Sequence, residues 1–180
     1  MTDAALFETD PVEGPAGTEY RSTAVLSADG LYRYELTREW GRPSGFLTWI
    51  MLNPSTADAQ ADDPTIRRCI GFAKSFGHTG IRVLNLYALR ATNPADLWTA
   101  PDPVGPENDQ VLADELMRAT RDQSVVVAAW GANARQTRVD QFLSFPRAAS
   151  TLRSLGITKD GQPRHPLYLP KTAPLTRWPA

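Results

Sequence analysis

The sequence predicts an α/β domain: a mainly parallel, four-stranded central sheet with an N-terminal β-hairpin. Three observations predict it. The short runs "FLTWIML", "IRVLNLYAL" and "SVVVAAW" have the length and the branched or aromatic content of buried strands. Stretches with helical spacing separate them, and strands that alternate with helices pair in parallel through right-handed crossovers. Ahead of them, Leu31, Arg33, Glu35 and Thr37 alternate with Tyr32, Tyr34 and Leu36, the period of a half-buried strand.

Residues 1–20 carry Pro, Gly and acids without a period and read as a loose arm. Residues 21–180 read as one domain, as expected for 180 residues. In "TAVLSADGLYRYELTREW", Asp29-Gly30 supplies the hairpin turn, and "GRPSG" turns the chain again before the first core strand. Asp63 is a natural helix N-cap and Pro64 fits the first helical position, where its missing N–H costs nothing. Ile66, Ile70 and Ala73, with Cys69 and Phe72 beside them, form an apolar face, and Gly77 ends the helix. "RATNPADLW" and "TAPDPVGPEND" read as loops broken by proline. A helix is expected from Pro106 to Ala119, with Val111, Leu112, Glu115 and Leu116 at helical spacing. Val139 to Leu155 reads as largely helical with a break at Pro146, and "LGIT" as a fourth short strand. Lys159-Asp160-Gly161 is a turn before "HPLYL".

Composition excludes several function classes. The net charge of -1 gives no global basic field for tight nonspecific nucleic-acid binding. The positive charges are mostly Arg, suited to planar contacts with phosphate, carboxylate or base edges. A single cysteine, Cys69, leaves no intrachain disulfide and no Cys-cluster metal site. No apolar run is long enough to span a bilayer, and the acidic first residues lack the basic start and apolar core of a signal peptide. A soluble cytoplasmic protein with no membrane partner is expected; the oligomeric state is left open.

In sheets of this kind ligands bind beyond the carboxyl ends of the strands, and the polar clusters fall there. Asn53-Pro54-Ser55 follow the first core strand, Asn85 to Arg90 the second, and Trp130-Gly131 the third. No phosphate loop, dinucleotide fingerprint, serine elbow or zinc helix occurs. Asn53 can position a water, read a base edge, or close an Asx turn before Pro54. His165, between Arg164 and Pro166, can donate a hydrogen bond to developing negative charge or transfer a proton near neutral pH, or be structural. His78, in "FGHTG", reads as a surface turn residue. Asp58, Asp62 and Asp63 could supply the one or two carboxylates that Mg²⁺ needs. A helix cap at Asp63, with Asp62 complementing the dipole, is the simpler reading, and no metal or cofactor is expected.

Two resemblances sharpen this. The segments "MLNPSTADAQADDPTIRRCIGFA", "VLNLYALRATNP", "VGPEND", "AAWG" and "LGITKDGQPRHPLYL" resemble an uncharacterised bacterial and phage family, domain-of-unknown-function family 1643, from Met51 to Leu169. The order of "MLNPS", "VLNLYALR", "VVVAAWGANA" and "RHPLYL" more distantly resembles the uracil-DNA glycosylase superfamily. That resemblance implies a three-layer sandwich. It also implies that Asn53 positions a nucleophilic water, Asn85 bonds the edge of a flipped base, and His165 stabilises negative charge leaving on the base. It implies that Leu167 or Tyr168 lies near a strand and that Tyr87 or Trp130 stacks on a base. Lys159 and Arg164 would hold one or two phosphates. The departures are Met51 where a glycine normally precedes the Asn-Pro unit, the missing Ser-Pro after His165-Pro166, and the acidic "STADAQADDPT". They suit a small nucleotide or a short single strand better than a long duplex.

The expected substrate-binding set is therefore Pro54, Ser55, Asn85, Tyr87, Arg90, Trp130, Gly131, Lys159 and Arg164, with Asn53 and His165 as catalytic candidates. The partner is a nucleobase, a nucleotide or a short nucleic acid. The reaction is hydrolysis of an N-glycosidic bond; the alternatives are a non-catalytic nucleotide-binding module and a structural or partner-binding α/β protein.

Overall fold

The computed structural model of the chain describes residues 4–13, 19–41, 45–55 and 62–179. Its first three strands, β1 (Ala4–Glu13), β2 (Glu19–Ser27) and β3 (Arg33–Glu39), form an antiparallel meander. The β2–β3 turn forms at Asp29-Gly30: Gly30 adopts φ +71°, its N–H donates to the Ser27 carbonyl, and Asp29 Oδ1 accepts from the Leu31 N–H. The loose arm expected over residues 1–20 is corrected for residues 4–13, which are strand. Main-chain bonds to β2 need no side-chain period. β1 is an edge strand, and its register shift between Thr9 and Val12 brackets Pro11, which cannot donate to a ladder.

The remaining elements alternate. Strand β4 (Phe46–Met51) leads to helix α1 (Pro64–Ser75) and strand β5 (Gly80–Asn85). Helix α2 (Asn108–Arg121) precedes β6 (Val126–Ala128). Helices α3 (Gln136–Leu143) and α4 (Ala148–Thr151) precede β7 (Leu152–Ser154), and β8 (Thr176–Arg177) comes last. Among the described residues, all eight strands form one mixed sheet in the order β1-β2-β3-β5-β4-β6-β7-β8. The expected four-stranded sheet is thus too small. β5, β4, β6 and β7 do run parallel, but β3 pairs antiparallel with β5, Leu36 opposite Val83, and β8 pairs antiparallel with β7. The hairpin therefore continues the main sheet instead of standing beside it.

Both faces of the parallel strands are covered, which is why they read as unbroken apolar runs. Along β4, Leu47, Trp49 and Met51 pack with Ile66, Cys69, Ile70 and Phe72 of α1. Ile50 and Leu52 pack on the other face with Leu112 and Leu116 of α2 and Val139 and Phe142 of α3. The second face also buries charge. Glu115 of α2 is 5% exposed and accepts from Thr48 on β4, Arg82 on β5 and Arg118 one turn along.

Helix α1 begins as its residues dictate, with Asp63 as N-cap accepting from the Ile66 N–H and Pro64 in the first turn. The helical segment expected from Val139 to Leu155 does break around Pro146, but it ends at Thr151. The fourth parallel strand is Leu152–Ser154 and not "LGIT", because Leu152 fills the core on the α2–α3 face while pairing with Val126. Ile157 makes only an isolated bridge to Pro163. Within "RATNPADLW", Pro94–Trp98 closes into a 3₁₀ turn capped by Asn93. Among the described residues, no helix is long and apolar enough to cross a membrane.

Candidate functional site

Where β4, β5 and β6 end, the backbone of each parallel strand stops at the same edge and the following loops diverge around a cleft of about 610 Å³. Such an edge is where α/β sheets bind ligands. Asn53, Ser55, Asn85, Trp130, Gly131, Arg164 and His165 all line it.

Asn85 is the last residue of β5 and is 1% exposed. Among the described residues, neither Nδ2 nor Oδ1 of its side chain has a hydrogen-bond partner. Leaving a buried polar group unpaired costs about 1–3 kcal/mol, so an amide with both atoms unpaired at the wall of a cleft is a strained arrangement. Its backbone is held firmly. Asn108 Nδ2, in the first turn of α2, donates to the carbonyls of Asn85 at 3.0 Å and Leu86 at 3.1 Å. Buried Arg138 of α3 donates from Nε to the Leu86 carbonyl at 2.8 Å and pairs with Asp109.

Asn53 is half-buried, and its Nδ2 donates to the carbonyls of Ala91 at 2.9 Å and Pro54 at 3.0 Å. These bonds tie the loop after β4 to the loop after β5. They leave Oδ1 as the acceptor of this side chain on the cleft lining. Two residues on, Ser55 Oγ donates to Asp63 Oδ2 at 2.6 Å, while Asp63 Oδ1 caps α1 at 2.7 Å. Asp63 therefore lines the cleft as well as capping the helix.

The third side comes from β6 and the closing loop. Gly131 adopts φ +77°, a left-handed backbone conformation that favours glycine, and it lies beside His165, whose Cβ a Cβ at this position would meet at an ordinary 3.5 Å. Its N–H donates to the Pro163 carbonyl. Trp130 is pinned between Phe142 and Trp178, and its Nε1 donates to Gln162 Oε1 at 2.8 Å. Its ring is core, 1% exposed. Tyr168 is 80% exposed at the lip and its ring packs 5.8 Å from that of His165.

His165 Nδ1 accepts from the Leu167 N–H at 3.3 Å, which places the proton of the neutral ring on Nε2. Burial pulls its pKa below the usual imidazole range, and the Asp63 carboxylate pulls weakly the other way. At neutral pH the ring is an uncharged donor. A depressed folded-state pKa means that His165 contributes stability above the ordinary imidazole pKa and loses it as pH falls through the folded value. An NMR titration should find the His165 pKa below that of a free imidazole, and lower still in Asp63→Asn. A value at or above the ordinary one would contradict this environment.

Four expected residues stand off the cleft lining. Pro54 is buried and serves through its carbonyl, which accepts from the Ala91 N–H. Tyr87 is core, edge-on to Trp98. Arg90 donates to the Gly30 carbonyl, clamping the β2–β3 turn. Lys159 is an exposed turn residue. Asp58 lies outside the described residues. Asp62 forms a buried ion pair with Arg38, at 2.9 Å, that fixes the entry to α1. Among the described residues, no group of three or more His, Cys, Asp or Glu is placed to hold a metal ion.

The cleft also contains residues that the sequence did not mark: Arg33, Thr92, Asn133 and Thr158. Arg33 is 3% exposed. In sequence it is one more alternating position of a hairpin, and only the pairing of β3 with β5 brings it to the cleft. For Asp63 the signal was present, but the helix cap accounted for it completely.

The chain matches the family described as "Protein of unknown function (DUF1643)" over residues 33–167. The chain belongs to this family. The matched segment runs from the start of β3 to Leu167, so the family region includes Arg33, Asn53, Asp63, Asn85, Gly131 and His165. No curated protein matches the chain.

Proposed function

We propose that the cleft binds a nucleobase, presented as a nucleotide or in a short nucleic acid, and that it is built to hydrolyse the N-glycosidic bond. One observation carries the reading: the Asn85 amide, buried and with both polar atoms unpartnered, at the cleft wall. A side-chain amide offers a donor and an acceptor in one plane, which complements the paired donor and acceptor on a base edge. Neutral His165, with its proton on Nε2, suits hydrogen-bond donation to negative charge developing on a leaving base. Arg164 at the rim and the exposed Tyr168 suit a phosphate and a stacked base. The ordered motifs "MLNPS", "VLN", "AWG" and "RHP" support the same reading through their resemblance to the uracil-DNA glycosylase superfamily.

One observation favours a second reading, a binding module without chemistry. Asn53 is a neutral amide with its NH₂ committed to two carbonyls, so it can orient a water but cannot take its proton.

A thermal-shift series with free bases, nucleosides, nucleotides and short single strands tests the binding reading. A ligand that binds only the folded state stabilises it by about 2.7 kcal/mol at a hundred times its Kd. The expected result is a concentration-dependent rise in Tm with at least one of these compounds, abolished in Asn85→Ala. A flat response across the whole series rejects the reading.

A further inference from the structure

We propose that Asp63 is the general base of the cleft, the group that takes a proton from the attacking water; this rests on the nucleobase reading of the site. Among the described residues, Asp63 is the sole carboxylate lining the cleft. Capping α1 accounts for one of its oxygens. It does not account for the second, which accepts from Ser55 Oγ at 2.6 Å within the cleft lining. Those two bonds hold the carboxylate in one orientation, and an ionised carboxylate keeps further lone pairs to accept a proton.

Three neighbours give the placement chemical sense. Asn53, on the same loop as Ser55, lines the cleft with its Nδ2 committed to two carbonyls, which leaves Oδ1 to accept one hydrogen of a water, aligning it without deprotonating it. Across the cleft, His165 offers a donor. Asn85, buried and unpartnered among the described residues, lines the same cleft and provides the hold for the base. An acceptor carboxylate and a donor imidazole on one cleft are the division of roles that hydrolysis requires.

In the step, the water oxygen forms a bond to the sugar carbon bearing the base, and the bond from that carbon to the base nitrogen breaks. The bond's electron pair leaves on the base, where the His165 donor stabilises it. The water's proton passes to Asp63, and the base regains a proton from Asp63 or from solvent.

The decisive variant is Asp63→Asn. Asn is as good an N-cap as Asp: its oxygen can accept from the Ile66 N–H while its NH₂ donates to Ser55 Oγ, reversing that bond, so the helix start survives while proton acceptance is lost. Asp63→Ser, which also caps well, guards against a local effect of Asn. Base release would be followed from deoxyuridine and the four common deoxynucleosides, free and within short single strands, with Tm measured in parallel. The expected result is release of at least one base by the native protein. Both variants then show kcat reduced about 100-fold or more, with KM and Tm near native. Retention of kcat within about threefold in Asp63→Asn overturns the assignment, leaving only a cap. A rise in KM with kcat unchanged also overturns it, because the carboxylate then holds ligand, not water. If the native protein binds members of the panel but releases no base, Asp63 is not a base, although the binding reading stands. If it binds none, both fall.

Discussion

Asn85→Leu is expected to raise the melting temperature of the free protein and to abolish its stabilisation by ligand. The side chain is almost fully buried at the end of β5, and both polar atoms lack partners. Replacing them with methyl groups of similar volume removes an unpaired donor and an unpaired acceptor, worth about 1–3 kcal/mol each where burial is complete. A net gain of about 1–3 kcal/mol is expected, since Leu is not a perfect fit. For a chain of this length that is several degrees, at about 2–4 °C per kcal/mol. Local clamping by Asn108 and Arg138 acts on backbone carbonyls and survives the substitution. Melting curves with and without ligand read both effects together. A lower Tm in the free variant would mean that the amide has a structural role and that Asn85 does not mark a ligand site. Residues kept at a cost to stability are characteristic of functional sites.

Glu115→Ala is expected to be among the most damaging single substitutions. Glu115 Oε1 accepts from Thr48 Oγ1 and Arg118 Nη2, both at 2.5 Å. Its Oε2 accepts from Arg118 Nε at 2.7 Å and Arg82 Nη1 at 3.2 Å. Arg82 also pairs with Glu35, whose pKa burial raises while the Arg82 charge lowers it. One carboxylate therefore ties α2 to the two central strands. Its removal leaves two guanidiniums and a fully buried hydroxyl against the sheet without their common acceptor. Breaking such a pair costs about 3–5 kcal/mol, a fall in Tm on the order of 10 °C. Glu115→Gln keeps an acceptor and should lose about half as much. Urea unfolding of the three proteins checks the order. A loss below about 1 kcal/mol in Glu115→Ala would show that water replaces the carboxylate and that the network is not buried in solution.

Much of the site could be read in sequence for one reason. Asn53, Asn85, Gly131 and His165 are polar or small residues directly after apolar runs or beside proline, and alternation of strands and helices brings such strand ends to one edge. Tyr87 and Arg90 follow the same strand as Asn85 but turn elsewhere, one into the core and one onto the β2–β3 turn. Position along a strand end does not settle which way a side chain points. Arg33 carried no local signal, because it reaches the cleft through β3 pairing with β5, nearly fifty residues away in sequence. Asp63 was legible as a cap, and that complete local explanation concealed its second bond to Ser55.

The same division holds for the fold. Local chemistry was enough for α1, with its Asp63 cap, Pro64 start and apolar face, for the Asp29-Gly30 turn, and for the three apolar runs as buried strands. Each rests on interactions within a few residues, or on burial that any covered strand requires. The size and sense of the sheet rest on pairings between distant segments: β3 on β5, Leu152 beside Val126, Arg153 beside Arg177, and the first residues on β2. Backbone hydrogen bonds are alike for every residue type, so a short run such as "LRS" or "TR" carries little mark of its partner. Only the packed molecule selects it, and that selection turns a row of polar strand ends into a cleft with Arg33 and Asp63 in its walls.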